Sequence, residues 1–151
     1  MNIWKFISTL GYVGKLPIFP GTWASLITLC LWSFIPVKAT IQLPIIILLI
    51  IIGLYSSKIT AQLLKKKDPS EIVIDEVIGM SIALFMIPHK LFFYILAFLL
   101  FRFFDILKPS FIYHVQNIKG GWGIILDDIL AGLFAFSIVI TIHIVFSMLL
   151  L

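Results

Sequence analysis

Apolar residues run along this chain in five stretches, at 22–35, 41–57, 72–87, 91–107 and 124–151, with short polar junctions between them. An α-helix needs about 20 apolar residues to cross a bilayer, within a range of about 17–25. The second, fourth and fifth stretches reach that range. The first and third are short, and are expected to tilt, to re-enter, or to end in a buried polar turn. The aliphatic run at 45–52 is expected to face lipid, and Pro44 stands near the start of its helix, where a missing N–H is tolerated. No repeat, linker or low-complexity tract interrupts the pattern, so residues 1–151 are read as one domain. The predicted fold class is an all-α membrane protein, a small bundle of about five transmembrane or partly re-entrant helices. At 1–12, Trp4 and Phe6 alternate with Lys5, Ser8 and Thr9, which reads as a short interfacial helix rather than a cleaved leader.

Composition settles the solvent. Hydrophobic residues make up 62% of the chain and mean hydropathy is +1.18, against about 45–50% apolar residues in soluble domains. A water-soluble fold of this size could not hide that much apolar surface. The single cysteine, Cys30, excludes an internal disulfide framework and a CxxC metal site, and is expected to be a small core residue. The net charge of +4 comes from lysines near segment ends, which suits anionic headgroups. No basic stripe is interleaved with stacking aromatics, so nucleic acid is not an expected partner. Nothing in the sequence specifies an oligomeric state.

Orientation follows from the cations. With the N-terminus in the cytoplasm and five crossings, Lys5, Lys15, Lys58, Lys65, Lys66, Lys67, Arg102, Lys108 and Lys119 lie inside. Only Lys38 and Lys90 lie outside, a strong positive-inside bias. Under the same topology all seven acidic residues, Asp68, Glu71, Asp75, Glu76, Asp105, Asp127 and Asp128, reach the cytoplasmic ends of segments. They played no part in choosing it. Carboxylates in or beside apolar segments are costly, so their convergence predicts a polar site on the cytoplasmic face.

Three groups carry candidate chemistry. At 68–79, Asp68 or Ser70 is a candidate helix cap, and Glu71 stands one turn before Asp75 with either a shared face or a surface role. Asp75 and Glu76 are expected a turn or more inside the helix. Adjacent carboxylates repel, so burying both requires a cation or a proton. At 101–109, Arg102, Asp105 and Lys108 recur every three residues as a polar ribbon that Pro109 ends. An ion pair that lets Arg102 survive near lipid explains part of it. A guanidinium fork is also suited to two-pronged phosphate binding. At 120–128, a Gly120-Gly121-Trp122-Gly123 turn precedes Asp127 and Asp128. Glycine-rich turns let backbone N–H groups approach an anion, and carboxylates with open water positions suit Mg²⁺. A fourth element, the rigid turn at 17–22, ends in Thr22, a candidate cap. His89, His114 and His143 lack ligand spacing and are expected to pack rather than bind metal.

PGTWAS at 20–25, DPSEIVIDEVIGM at 68–80, FRFFDILKP at 101–109 and GGWGIILDDILAG at 120–132 together resemble the phosphatidylglycerophosphatase A family. The resemblance covers most of the chain, with four motifs in order. It departs from the family pattern at Ala24 and at Ser110-Phe111, beside the charged positions rather than at them. What it implies is a small bacterial inner-membrane, multi-pass, Mg²⁺-dependent lipid phosphatase that converts phosphatidylglycerophosphate to phosphatidylglycerol. The implied functional positions are Asp75, Glu76, Arg102, Asp105, Lys108, Asp127 and Asp128. Asp75, Glu76, Asp127 and Asp128 are then the candidate ligands of one or two Mg²⁺ ions, and Arg102 and Lys108 the phosphate-binding pair. Asp105, Asp75 and Asp127 are the candidate catalytic carboxylates. Asp105 has three open roles: completing the metal site, orienting Arg102, or acting as base toward water. Attack by a carboxylate on phosphorus also stays open.

Two other classes fit less well. A lipid phosphotransferase calls for a nucleotide-handling motif with spaced DG and AR pairs, which the sequence lacks. A cation transporter needs polar groups near mid-membrane, reachable from both sides. Here the outer halves of the segments carry only Lys38 and Lys90.

Overall fold

A computed structural model describes residues 2–66, 69–107 and 122–149, which are helical throughout apart from turns and connections. Six α-helices are present among them: α1 (Ile3–Ser8), α2 (Pro20–Trp32), α3 (Ala39–Leu64), α4 (Ile74–Ala83), α5 (Leu91–Leu107) and α6 (Trp122–Leu149). A 3₁₀ turn, Val13–Lys15, lies between α1 and α2. The expected 91–107 segment coincides with α5. The expected third segment is cut to ten residues, and the second runs on to Leu64.

Local chemistry sets these ends. Asn2 caps α1, its Oδ1 accepting from the N–H groups of Trp4 at 3.0 Å and Lys5 at 3.4 Å. Pro20 opens α2 at its first position, where it has no N–H to lose. The cap itself is Phe19, with φ of 49° and no side-chain bond, so Thr22 lies inside the helix and does not cap it. Likewise Val73, not Ser70, stands at the cap of α4, while Asp68 lies outside the described residues. Val73 donates its N–H to the Ser8 carbonyl at 2.9 Å, which draws the chain before α4 out of the helix and onto α1.

At 1.5 Å per residue, the 26 residues of α3 and 28 of α6 span about 39 and 42 Å, enough to cross a hydrocarbon core of about 30 Å. By the same measure the ten residues of α4 reach only about 15 Å. Nine of those ten are buried, so α4 is the centre of the bundle rather than a lipid-facing span. Its far end is held by Gln42 of α3, whose Oε1 accepts from the Met86 N–H at 2.8 Å. Near the same level the Tyr94 hydroxyl reaches the Trp32 carbonyl.

The outside of the bundle is apolar. Phe34 is 83% exposed and Leu91 76%, with Leu48, Ile51, Leu99 and Phe103 also open. Contiguous apolar surface of this kind would drive association in water and is what lipid solvates. The protein is a small helical membrane protein. Cys30 belongs to this outer surface and not to the core. His89 and His143 pack edge-on against Tyr94 and Phe93, as expected, while His114 lies outside the described residues.

Candidate metal and phosphate site

The site begins with two glycines. Asp75 is followed four residues later by Gly79 on α4, and Asp128 four residues later by Gly132 on α6, so each acid shares a helix face with its glycine. A Cβ on Gly132 would land on the Gly79 carbonyl, and one on Gly79 would strike the Asp128 carbonyl and the Phe101 ring. The two backbones therefore touch, as small residues allow between membrane helices. One turn nearer the helix starts, that approach brings the acids together. Carboxylate oxygens of Asp75, Glu76 and Asp128 lie within 4.8 Å of one another.

Asp75 and Glu76 occupy the first turn of α4, not a deeper position as the sequence suggested. There the unpaired N–H groups and the helix dipole favour negative charge. The Glu76 N–H donates to Asp75 Oδ1 at 3.2 Å. That accounts for some of the charge and not for all of it. Glu76 Oε2 is buried with no hydrogen-bond partner among the described residues. The start of α2 closes over the same group, because a Cβ on Gly21 would occupy the position of the Glu76 carboxylate.

Helix α5 supplies a charge of opposite sign. Arg102 Nη1 donates to Asp105 Oδ2 at 2.5 Å, and both side chains are largely buried. Asp105 and Arg102 lie close enough to Glu76 to act on its charge, and Asp105, Asp75, Glu76 and Asp127 all act on Asp128. Arg102 Nε is buried without a partner among the described residues, leaving a donor for something else. Asp127 is buried beside the group but is not one of the three that converge. Glu71 stands apart: it precedes α4 and pairs with Lys5 at 3.3 Å, so it does not share a helix face with Asp75. Lys108, Pro109 and the Gly120-Gly121 turn lie outside the described residues.

Five buried or half-buried carboxylates thus meet one guanidinium among the described residues. Such a group needs cations or protons to persist. The donor set is all oxygen, the preference of hard cations such as Mg²⁺ and Ca²⁺ rather than of Zn²⁺. The convergent trio and the orphaned Glu76 oxygen fit a bound cation. Sequence reasoning found every one of these residues but missed the glycines that bring them together. The repeated Asp-x-x-x-Gly spacing was the available signal.

A model of the phosphatidylglycerophosphatase A family matches residues 6–143, which include the whole described site. The chain is 40% identical to phosphatidylglycerophosphatase A of Haemophilus influenzae over 130 residues, 82% of this chain and 78% of that one. It is 35% identical to phosphatidylglycerophosphatase A of Escherichia coli over 142 residues, covering 91% and 81%. A Bacteroides thetaiotaomicron protein provisionally named phosphatidylinositol-3-phosphatase is 33% identical over 135 residues, covering 83% and 84%. No solved structure matches the chain.

Proposed function

The chain belongs to the phosphatidylglycerophosphatase A family, and from that premise we propose that it hydrolyses the terminal phosphate of phosphatidylglycerophosphate. The products are phosphatidylglycerol and inorganic phosphate, and the step serves phospholipid synthesis. Residues 1–151 act as one domain. The protein sits in a bacterial inner membrane as a multi-pass protein with its site toward the cytoplasm, a reading supported by the lysine distribution. The observation that carries the proposal is the meeting of Asp75, Glu76 and Asp128 beside the Arg102–Asp105 pair.

In this reading Asp75, Glu76 and Asp128, with Asp127 next to them, hold Mg²⁺. Bound there, Mg²⁺ would supply positive charge to offset the phosphate oxygens and Lewis acidity toward the ester. Arg102 binds the phosphate through Nε, which has no partner among the described residues, and offsets charge as the P–O bond breaks, with Lys108 as second cation. The 2.5 Å contact supports the orienting role for Asp105, because it fixes the plane of the guanidinium fork. Asp127, buried near the trio but outside it, is then the candidate base that takes the proton of the attacking water.

The Bacteroides relative favours one second reading, hydrolysis of a phosphomonoester on an inositol lipid. Both substrates carry a monoester on a phosphatidyl headgroup, so the charged groups alone do not separate them. Phosphate release from phosphatidylglycerophosphate and from phosphatidylinositol 3-phosphate, measured side by side with purified protein and Mg²⁺, decides. The proposal expects faster release from the first. Faster release from the second would replace the substrate, and release from neither would remove the phosphatase reading.

A further inference from the structure

Next to the carboxylates lies an open groove of about 530 Å³, lined by Lys5, Lys15, Pro20, Ser70 and Glu71 among others. Its walls are well fixed. Gly14 packs so closely on the Glu71 backbone that a Cβ there would overlap the Glu71 carbonyl, which ties the 3₁₀ turn to the segment before α4. Pro20 forms part of the wall, and its neighbour Gly21 rests on the Glu76 carboxylate, so the groove opens beside the acidic trio. Lys15 Nζ sits 4.4 Å over the Tyr12 ring, which holds the ammonium in place while leaving its donors open. Lys5 spends one contact on Glu71 at 3.3 Å.

The charge count selects a ligand. Among the described lining residues, two ammonium groups and one carboxylate leave a single net positive charge, which suits a monoanion. A phosphodiester carries one negative charge, whereas a phosphomonoester at neutral pH carries nearly two. An ion pair to Glu71 would serve as a plain structural staple for α1, but that accounts for Lys5 alone; Lys15 rests on the Tyr12 ring, which takes up none of its hydrogen-bond donors. The rim points to the source of the anion. Ile18 is 64% exposed and Phe19 72%, close beside Lys15 in sequence, and such side chains belong at acyl chains rather than in water.

We propose that this groove binds the bridging phosphodiester of the lipid substrate, placing its terminal phosphate at the carboxylates; the inference rests on the phosphatase reading. Lys15 is then a specificity-determining residue, and a phosphatidyl lipid is distinguished from a small phosphomonoester by a contact away from the reacting bond. Binding tests this without turnover. Phosphatidylglycerol, which has the phosphodiester but no monoester, and diacylglycerol, which has neither, are titrated in detergent onto wild type, Lys15→Ala and Lys15→Arg.

Wild type should prefer phosphatidylglycerol. Lys15→Ala should weaken that lipid about fivefold, as expected for loss of one partly solvated charge-assisted contact, and leave diacylglycerol unchanged. Lys15→Arg, which keeps a charged donor for the phosphate, should stay within about twofold of wild type. Equal binding of phosphatidylglycerol by wild type and Lys15→Ala, or equal loss of both lipids, overturns the groove. Under turnover, phosphatidylglycerol should inhibit competitively, and non-competitive inhibition would make the groove a site for a neighbouring lipid instead. Failure of the phosphatase reading shows separately, as absence of phosphate release by wild type.

Discussion

Helices α3 and α4 are both strongly apolar in sequence, yet they use that character in opposite ways. On α3 the buried residues are mostly small or polar, Gln42, Gly53, Ser56, Ser57 and Thr60 with Ile46, while Leu43, Ile47, Leu48 and Ile51 look outward. On α4 the aliphatic residues Ile78, Met80 and Ile82 are themselves the buried core, and the two acids sit among them. The difference follows from the solvent. Lipid does not drive Leu and Ile inward, so inter-helix contact in α3 is made by small residues and by hydroxyls such as the Ser8–Thr60 bond of 2.8 Å. Helix α4 meets protein on all sides, and can therefore carry charge that lipid would not tolerate.

Substitutions along the two helices and their contacts should separate these uses. The largest effect is expected for Asp128→Asn, which removes one charge from the trio while keeping its shape. Phosphate release should fall about 10²- to 10³-fold with folding retained, checked by initial rates and a thermal melt in detergent. Next is Gly132→Ala, whose methyl would meet the Gly79 backbone with no flexible group to yield. It should cost about 1–3 kcal/mol in stability and lower activity as well, since the carboxylates move with the helices. Gly53→Ala on α3 should cost less than about 1 kcal/mol, because its new methyl meets chiefly the ends of the Ile78 and Ile125 side chains. Leu48→Ala, on the lipid face, should stay within about 0.5 kcal/mol of wild type. A Gly132→Ala protein that melts and reacts like wild type would separate the close helix contact from the site.

Much of this arrangement was legible in the sequence, and the rest was hidden for physical reasons. The limits of α5 and the gathering of the acids followed from hydropathy and charge alone. The extra turns of α3 beyond Ser57 did not, because Lys58, Thr60 and Gln62 break the apolar pattern; there α1 packs along the helix and Thr60 bonds Ser8. The shortness of α4 was also hidden. Ile72 and Val73 are as apolar as the helix after them, but the Ile72 N–H closes a local turn onto the Pro69 carbonyl and the Val73 N–H goes to the Ser8 carbonyl, a tertiary contact that no periodicity records. Capping by Thr22 or Ser70 was expected from residue type and overridden by Pro20 and by the pull of α1 on Val73. The run at 45–52 was expected to face lipid; Ile47, Leu48 and Ile51 do, while Ile46 lies in the core and Ile45, Leu49 and Ile50 pack against it. The acids themselves were easy to find. Their mutual distance depended on two glycines that carry no chemistry.

The central claim is that Asp75, Glu76 and Asp128 form a divalent-cation site built by the α4–α6 crossing. Calorimetric titration of Mg²⁺ onto the purified protein in detergent, for wild type and for Asp75→Asn/Asp128→Asn, tests it most directly. The account predicts saturable binding by wild type and none by the folded double variant. Equal binding by both proteins, or none by active wild type, would contradict it.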